Sequence, residues 1–179
     1  MTPPDSELIA RVVRADDRAA FGELVVRHQS AVRQFLRHLT RGDAAWADDL
    51  GQDTFVQAYR SLARFRGAAS FSTWLLGIAH NQFRNARRRR ATALQWQAEE
   101  EPAAAPAGLR QSDLQQDLAS AMRTLSAEEQ SAVHLSYHAG LSHAEIAAVL
   151  GWPLGTVKTH LARSKEKLRQ LLAAWNPQT

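Results

Sequence analysis

Residues 141–168, LSHAEIAAVLGWPLGTVKTHLARSKEKL, are the most constrained stretch of this chain. Ser142 and Glu145 have capping-box spacing, in which a serine hydroxyl and a glutamate carboxylate satisfy each other's backbone amides at a helix start. Gly151 stands where so short a helix must end, because glycine takes the left-handed backbone of a C-terminal turn without a steric penalty. Pro153 suits the first turn of a second helix, where its missing N–H costs nothing. Ile146, Leu150, Val157 and Leu161 can form the apolar knot, and small Ala147 lets the helices cross closely. Two short helices across a tight turn make a helix-turn-helix. Thr156, Lys158, Thr159, His160, Arg163 and Lys167 are expected to point away from the knot, with donors for phosphates and base edges. A plain helical hairpin with a solvated basic face is the competing reading, and it leaves box, glycine and proline without a common reason.

Upstream, the helical period continues. Phe21, Leu24, Val25, His28, Val32, Phe35, Leu36 and Leu39 recur at steps of three and four, with Asp16 and Asp17 as candidate N-caps and Gly42 as the stop. Asp43 can cap a second helix with Trp46, Leu50, Thr54, Ala58 and Leu62 on one stripe. After a loop at 64–69, Phe71, Trp74, Leu75, Ile78, Ala79, Gln82 and Phe83 trace a third helix running into Arg87–Arg90. Residues 91–111 hold two prolines, an acidic run and many alanines without an apolar face, and read as a flexible linker with a fraying helical start. Beyond it, Leu114, Leu118, Met122 and Leu125 mark a short helix, and Ser126 with Glu129 is another capping box opening a helix that ends near Gly140. Leu168, Leu171, Leu172 and Trp175 extend the buried face of the last helix. The predicted fold is all-α: two small helical domains, 1–90 and 112–179, joined by the linker 91–111.

Charge and composition narrow the function. With Lys+Arg 22 against Asp+Glu 18 the net charge is only +4, but the basic residues cluster at 84–90 and 158–169, which suggests two contacts with a polyanion. There is no cysteine, so disulfides and thiolate metal sites are excluded, in keeping with a cytoplasmic location. No apolar run is long enough to span a bilayer, so no membrane insertion is expected, and the first residues lack a signal-peptide pattern. His134 and His138 have a zinc-compatible i, i+4 spacing with His143 nearby, but the carboxylate that metal chemistry would add at defined spacing is missing; no metal, cofactor or enzymatic activity is expected. Phe71, Trp74 and Phe83 could stack on bases, although this helical spacing favours core packing.

A helix-turn-helix of this kind also resembles that of quorum-sensing response regulators, but residues 1–90 lack the alternating strands and helices of a receiver domain. The segments DDLGQDTFVQAYRSLARFRG and FSTWLLGIAHNQFRNARRRR resemble region 2 of the extracytoplasmic-function sigma factors, and 141–168 resembles their region 4. The resemblance implies a minimal two-domain transcription-initiation factor without catalysis. Its partners would be core RNA polymerase, double-stranded promoter DNA with a melted minus-ten region, and an anti-sigma factor.

It also implies roles residue by residue. Asp49, Gln52, Asp53 and Phe55 fall on the segment that docks on polymerase; read alone, these acids would be a solvated face. Gly51, where the family more often has a branched apolar residue, weakens that helix. The loop with Phe65, Gly67 and Ser70, and a polar face of Asn81, Arg84, Asn85 and Arg88, match the minus-ten reader. Thr156, Lys158, Thr159, His160, Arg163 and Lys167 fall on the minus-thirty-five reader, which by the resemblance would enter the major groove through Lys158, Thr159 and Arg163. An autonomous repressor or activator is the rival among DNA-binding functions, and it would bind an operator without polymerase.

Overall fold

The computed structural model describes residues 2–96 and 113–173, and all regular elements among them are helical. The chain divides into two compact units, Met1–Glu100 and Glu101–Thr179.

The N-terminal unit contains α1 (Asp5–Ala15), α2 (Arg18–Leu39), α3 (Ala44–Ser61), a 3-10 turn (Leu62–Arg64) and α4 (Phe71–Trp96). The sequence reading missed α1. It buries only Leu8 and Val12, one turn apart, too short a stripe to stand out. Asp5 holds it to α2, accepting from Arg27 (2.9 Å) and pairing with the His28 ring (2.7 Å), residues more than twenty positions away. The two acids proposed as caps divide the work. Asp17 accepts the Ala20 N–H (3.0 Å) and starts α2, whereas Asp16 ends α1 in a left-handed conformation (φ 50°). Asp43 caps α3 through the Trp46 N–H (2.9 Å), after a turn in which Gly42 (φ 91°) donates its N–H to the Arg37 carbonyl. Leu24, Val32, Phe35, Leu36, Leu50, Ala58, Leu75, Ala79 and Phe83 form the core, the faces that the periodicity marks.

The C-terminal unit contains α5 (Asp113–Arg123), α6 (Ala127–Tyr137), α7 (His143–Leu150) and α8 (Leu154–Leu171). Both capping boxes are formed, Ser126 with Glu129 and Ser142 with Glu145. Gly151 ends α7 in the left-handed conformation (φ 67°), and Pro153 sits at the N-cap position of α8, one residue before its first turn. Ile146, Leu150, Val157 and Leu161 are buried together in the helix-turn-helix. The apolar stripes are shorter than the periodicity suggests. Leu171 (53% exposed) and Leu118 (43% exposed) lie at the surface, not in the core. Of the segment 91–111, the first residues continue α4 to Trp96; its assignment as a flexible linker otherwise falls outside the described residues, as does Trp175.

Candidate nucleic-acid interface

In the N-terminal unit the two candidate surfaces lie on α3 and on the loop leading into α4. Asp49, Gln52 and Asp53 are exposed on α3, and Phe55 is half-buried. Not every acid of the cluster is available, because Asp48 pairs with Arg33 (3.1 Å). Phe55 and Val56 continue into a shallow groove with Phe21, Tyr59 and Arg60. Tyr59 sets the end of this groove. Its ring meets Phe21 edge-on (4.9 Å), and its hydroxyl donates to Asp16, which holds the phenol above its ordinary pKa.

The loop between the 3-10 turn and α4 is pinned by rings. Phe65 lies 5.3 Å from Trp74 and 5.8 Å from Phe71, and the His28 ring meets Phe71 edge-on (5.2 Å). Trp74 is therefore half-buried in an aromatic cluster, as its helical spacing suggests. Phe65, expected among the DNA-facing loop residues, gives its ring to this cluster. Ser70 likewise works within the chain: its hydroxyl accepts the Thr73 N–H (3.1 Å) and caps α4. Gly67 (φ 69°) stays exposed at the loop tip, a conformation that a side chain would strain. Asn81, Arg84, Asn85 and Arg88 are exposed along one face of α4.

Two further arginines of the basic cluster at 84–90 meet aromatic rings, which the sequence does not indicate. Arg90 stacks over the Trp46 ring (4.0 Å) and Arg87 lies over Phe83 (5.8 Å). The only hint was their place in an arginine run, which does not say which members fold back on aromatic rings.

In the C-terminal unit, α8 presents an outward face. Lys158, Thr159 and Arg163 are exposed, and Thr156 is half-buried. The Thr159 hydroxyl donates to the Gly155 carbonyl (2.9 Å), so in this state its donor is used within the helix. His160 and Lys167 stand three and four positions from Arg163, on its side of the helix, and each also meets a neighbour within the unit. His160 is half-buried against Trp152 (5.1 Å between ring centres). Lys167 extends its ammonium to both carboxylate oxygens of Glu129 on α6 (2.9 Å each). Both also border Ser164, at steps of four and three, and Ser164 is fully buried, so these two side chains stand where the exposed face meets the packed one.

Glu129 is the hub of this unit. It is 5% exposed, accepts the Ser126 N–H (2.9 Å) and holds Lys167. Burial pushes its pKa up, but the hydrogen bonds from Lys167 and Ser126 outweigh burial and the net displacement is downward. Beside it Gln130 donates from its amide to the carbonyls of Met122 and Leu125 (3.0 Å each), tying α6 to the end of α5. His134 is buried and stacks in parallel on His138 (4.7 Å). No group of three potential ligands converges as a metal site among the described residues, nor is any described helix long and apolar enough to cross a membrane.

Comparison with known proteins agrees with this layout. Residues 24–92 match the family model for Sigma-70 region 2, and residues 115–168 match that for Sigma-70 region 4. The chain is 34% identical to the ECF RNA polymerase sigma-E factor of Escherichia coli over 179 residues, 92% of each chain. It is 31% identical to the RNA polymerase sigma-H factor of Pseudomonas aeruginosa, over 94% of this chain and 93% of that one. Among solved structures, it resembles the sigma factor RpoE of Bartonella quintana in complex with the anti-sigma factor NepR (TM-score 0.71, 30% identity, 86% of this chain and 96% of that one). It also resembles CnrH in complex with the cytosolic domain of CnrY (TM-score 0.68, 31% identity, 95% and 97%). With both regions present in order and full-length relatives at this identity, the chain belongs to the ECF sigma factors, which are promoter-specificity factors of transcription and not enzymes.

Proposed function

We propose that this sigma factor docks on core RNA polymerase through the α3 face of Asp49, Gln52, Asp53 and Phe55, and reads promoters with both units. Exposed carboxylates beside an apolar groove suit a basic, partly apolar partner surface. At the minus-ten element, the loop around Gly67 would receive an unstacked base, with Asn81 and Asn85 offering amide groups and Arg84 and Arg88 holding phosphate. Unstacking costs a few kcal/mol, and such a pocket can offset it. Phe65 and Ser70 shape that loop from within. Segment 91–111 would tether the two domains, 1–90 and 112–179, and an anti-sigma factor in the cytoplasm would compete for their exposed faces, as such factors accompany the two solved relatives.

The observation that carries the promoter-reading role is the exposed trio Lys158, Thr159 and Arg163 on the second helix of a helix-turn-helix whose first helix is closed by a capping box and a left-handed glycine. Arg163 is long enough for a bidentate guanine contact, and Lys158 suits phosphate. A randomised minus-thirty-five library transcribed with wild type, Lys158→Ala and Arg163→Ala tests this. Arg163→Ala should relax preference at one position, at a cost of about 1–3 kcal/mol, and Lys158→Ala should weaken all promoters alike. An unchanged preference with Arg163→Ala removes it from base reading.

A further inference from the structure

The first turn of α8 carries an exposed apolar side chain that hydrogen-bonding chemistry leaves without a role. Leu154 opens the helix and is 44% exposed, whereas Val157 and Leu161 on the same helix are buried. A leucine in water forgoes the burial that would stabilise it. The next residue is Gly155, and the space where a side chain would stand there is empty to 4 Å. The first turn of α8 contains no acidic residue to repel a polyanion, and Lys158, one turn further along, is exposed. The leading end of α8 is thus an apolar tip beside bare backbone, followed by a cation.

The floor of the major groove displays hydrogen-bond donors, acceptors and a single apolar group, the C5-methyl of thymine. In a helix-turn-helix, the N-terminal residues of the second helix are those that meet base edges. We infer that Leu154 reads a thymine in the promoter element bound by α8, by packing against its C5-methyl group. The inference rests on the major-groove placement of α8 proposed above. It adds a base reader that donates no hydrogen bond, whose discrimination is worth about one buried methyl group, or about fourfold in affinity.

Deoxyuridine in place of thymidine removes that methyl and changes nothing else in the groove. The preferred element is first selected from a randomised library with wild-type holoenzyme, and each thymine on either strand is then replaced by uracil in turn. Wild-type holoenzyme should lose about fourfold in binding at one position. Leu154→Ala holoenzyme should bind the thymine and uracil forms equally, at the wild-type level for uracil, while Leu154→Met keeps the distinction. Because Leu154 is exposed and alanine favours helix, the alanine variant keeps its fold. Wild-type indifference to uracil at every position, or an unaltered thymine-to-uracil ratio in Leu154→Ala, overturns the inference. Lys158→Ala and Arg163→Ala, assayed alongside, separate the two possible failures. If they weaken binding while Leu154→Ala leaves the ratio unchanged, only the leucine contact is wrong; if they too change nothing, the placement of α8 is wrong and the leucine contact falls with it.

Discussion

The two units secure their exposed faces by different chemistry. In the N-terminal unit, the loop ahead of α4 is fixed by ring packing, Phe65 against Phe71 and Trp74 with the His28 ring beneath. In the C-terminal unit, α8 is clasped to α6 by a buried carboxylate, Glu129, and the Lys167 ammonium. Ring packing is insensitive to charge and leaves the neighbouring Arg84 and Arg88 of α4 exposed. The polar clasp consumes a lysine and ties the set of α8 to the ionisation of one glutamate. The difference teaches that a place in a basic patch does not by itself leave a side chain free: the deciding question is what lies on the helix packed behind it.

The largest effect should come where the N-terminal unit presents charge that no ion pair among the described residues engages. Asp49 is exposed at the centre of the α3 face, so if that face docks on polymerase as proposed, Asp49→Arg turns attraction into repulsion there, typically a loss of several kcal/mol. We expect co-purification with core polymerase to be lost while circular dichroism shows unchanged helicity. Undiminished co-purification would move the docking surface elsewhere.

The next effect tests the polar clasp. Glu129→Gln removes the charge that Lys167 faces and weakens the capping box of α6, for an expected loss of about 1–3 kcal/mol in the C-terminal unit. The half-exposed Lys167 keeps this below the cost of a fully buried pair. A pH dependence follows. Since the folded-state pKa of Glu129 lies below its unfolded value, its contribution is fully present above the unfolded value and fades as pH falls through the folded one. Hydrogen exchange of the full chain on acidification should show α6 and α8 losing protection in wild type, with Glu129→Gln already less protected at neutral pH and changing less. Equal acid responses would take the clasp off Glu129.

Smaller still is the change that distinguishes the two lysines of α8. Lys158→Ala should lower the slope of log affinity against log salt by about one contact, and Lys167→Met should leave it unchanged. A reduced slope for Lys167→Met would mean that the lysine leaves Glu129 for phosphate when DNA binds.

These cases also mark how far the sequence was legible. The capping boxes, the Gly42 and Gly151 stops and the caps at Asp17 and Asp43 join residues a few positions apart, so spacing alone identifies them. The contacts that decide which side chains are free join distant residues: Lys167 with Glu129, Arg90 with Trp46, Asp5 with His28. Helical periodicity says which residues share a face, but not what that face meets. The contacts of His160 with Trp152 and of Lys167 with Glu129 are therefore invisible in the spacing, and α1 is hard to see because its burial rests on only two residues.

The smallest expected effect returns to α3 and concerns glycine. Gly51 lies inside α3 beside the docking face, where glycine costs roughly 0.5–1 kcal/mol relative to alanine through backbone entropy. Space does not demand it. A Cβ there would meet only the Leu36 Cδ1, at 3.9 Å, an ordinary contact, and the backbone is helical. Gly51→Ala should therefore stabilise the N-terminal unit by about 0.5–1 kcal/mol, read as a higher thermal midpoint of the full chain. Core binding then shows why the glycine is there. Asp49, Gln52 and Asp53 point outward from the same helix, so a rigid docking face predicts unchanged affinity for polymerase alongside the stability gain. Weakened binding with raised stability would mean instead that α3 must bend to dock, and the N-terminal unit would then be the more pliable partner in the comparison with the clasped α8.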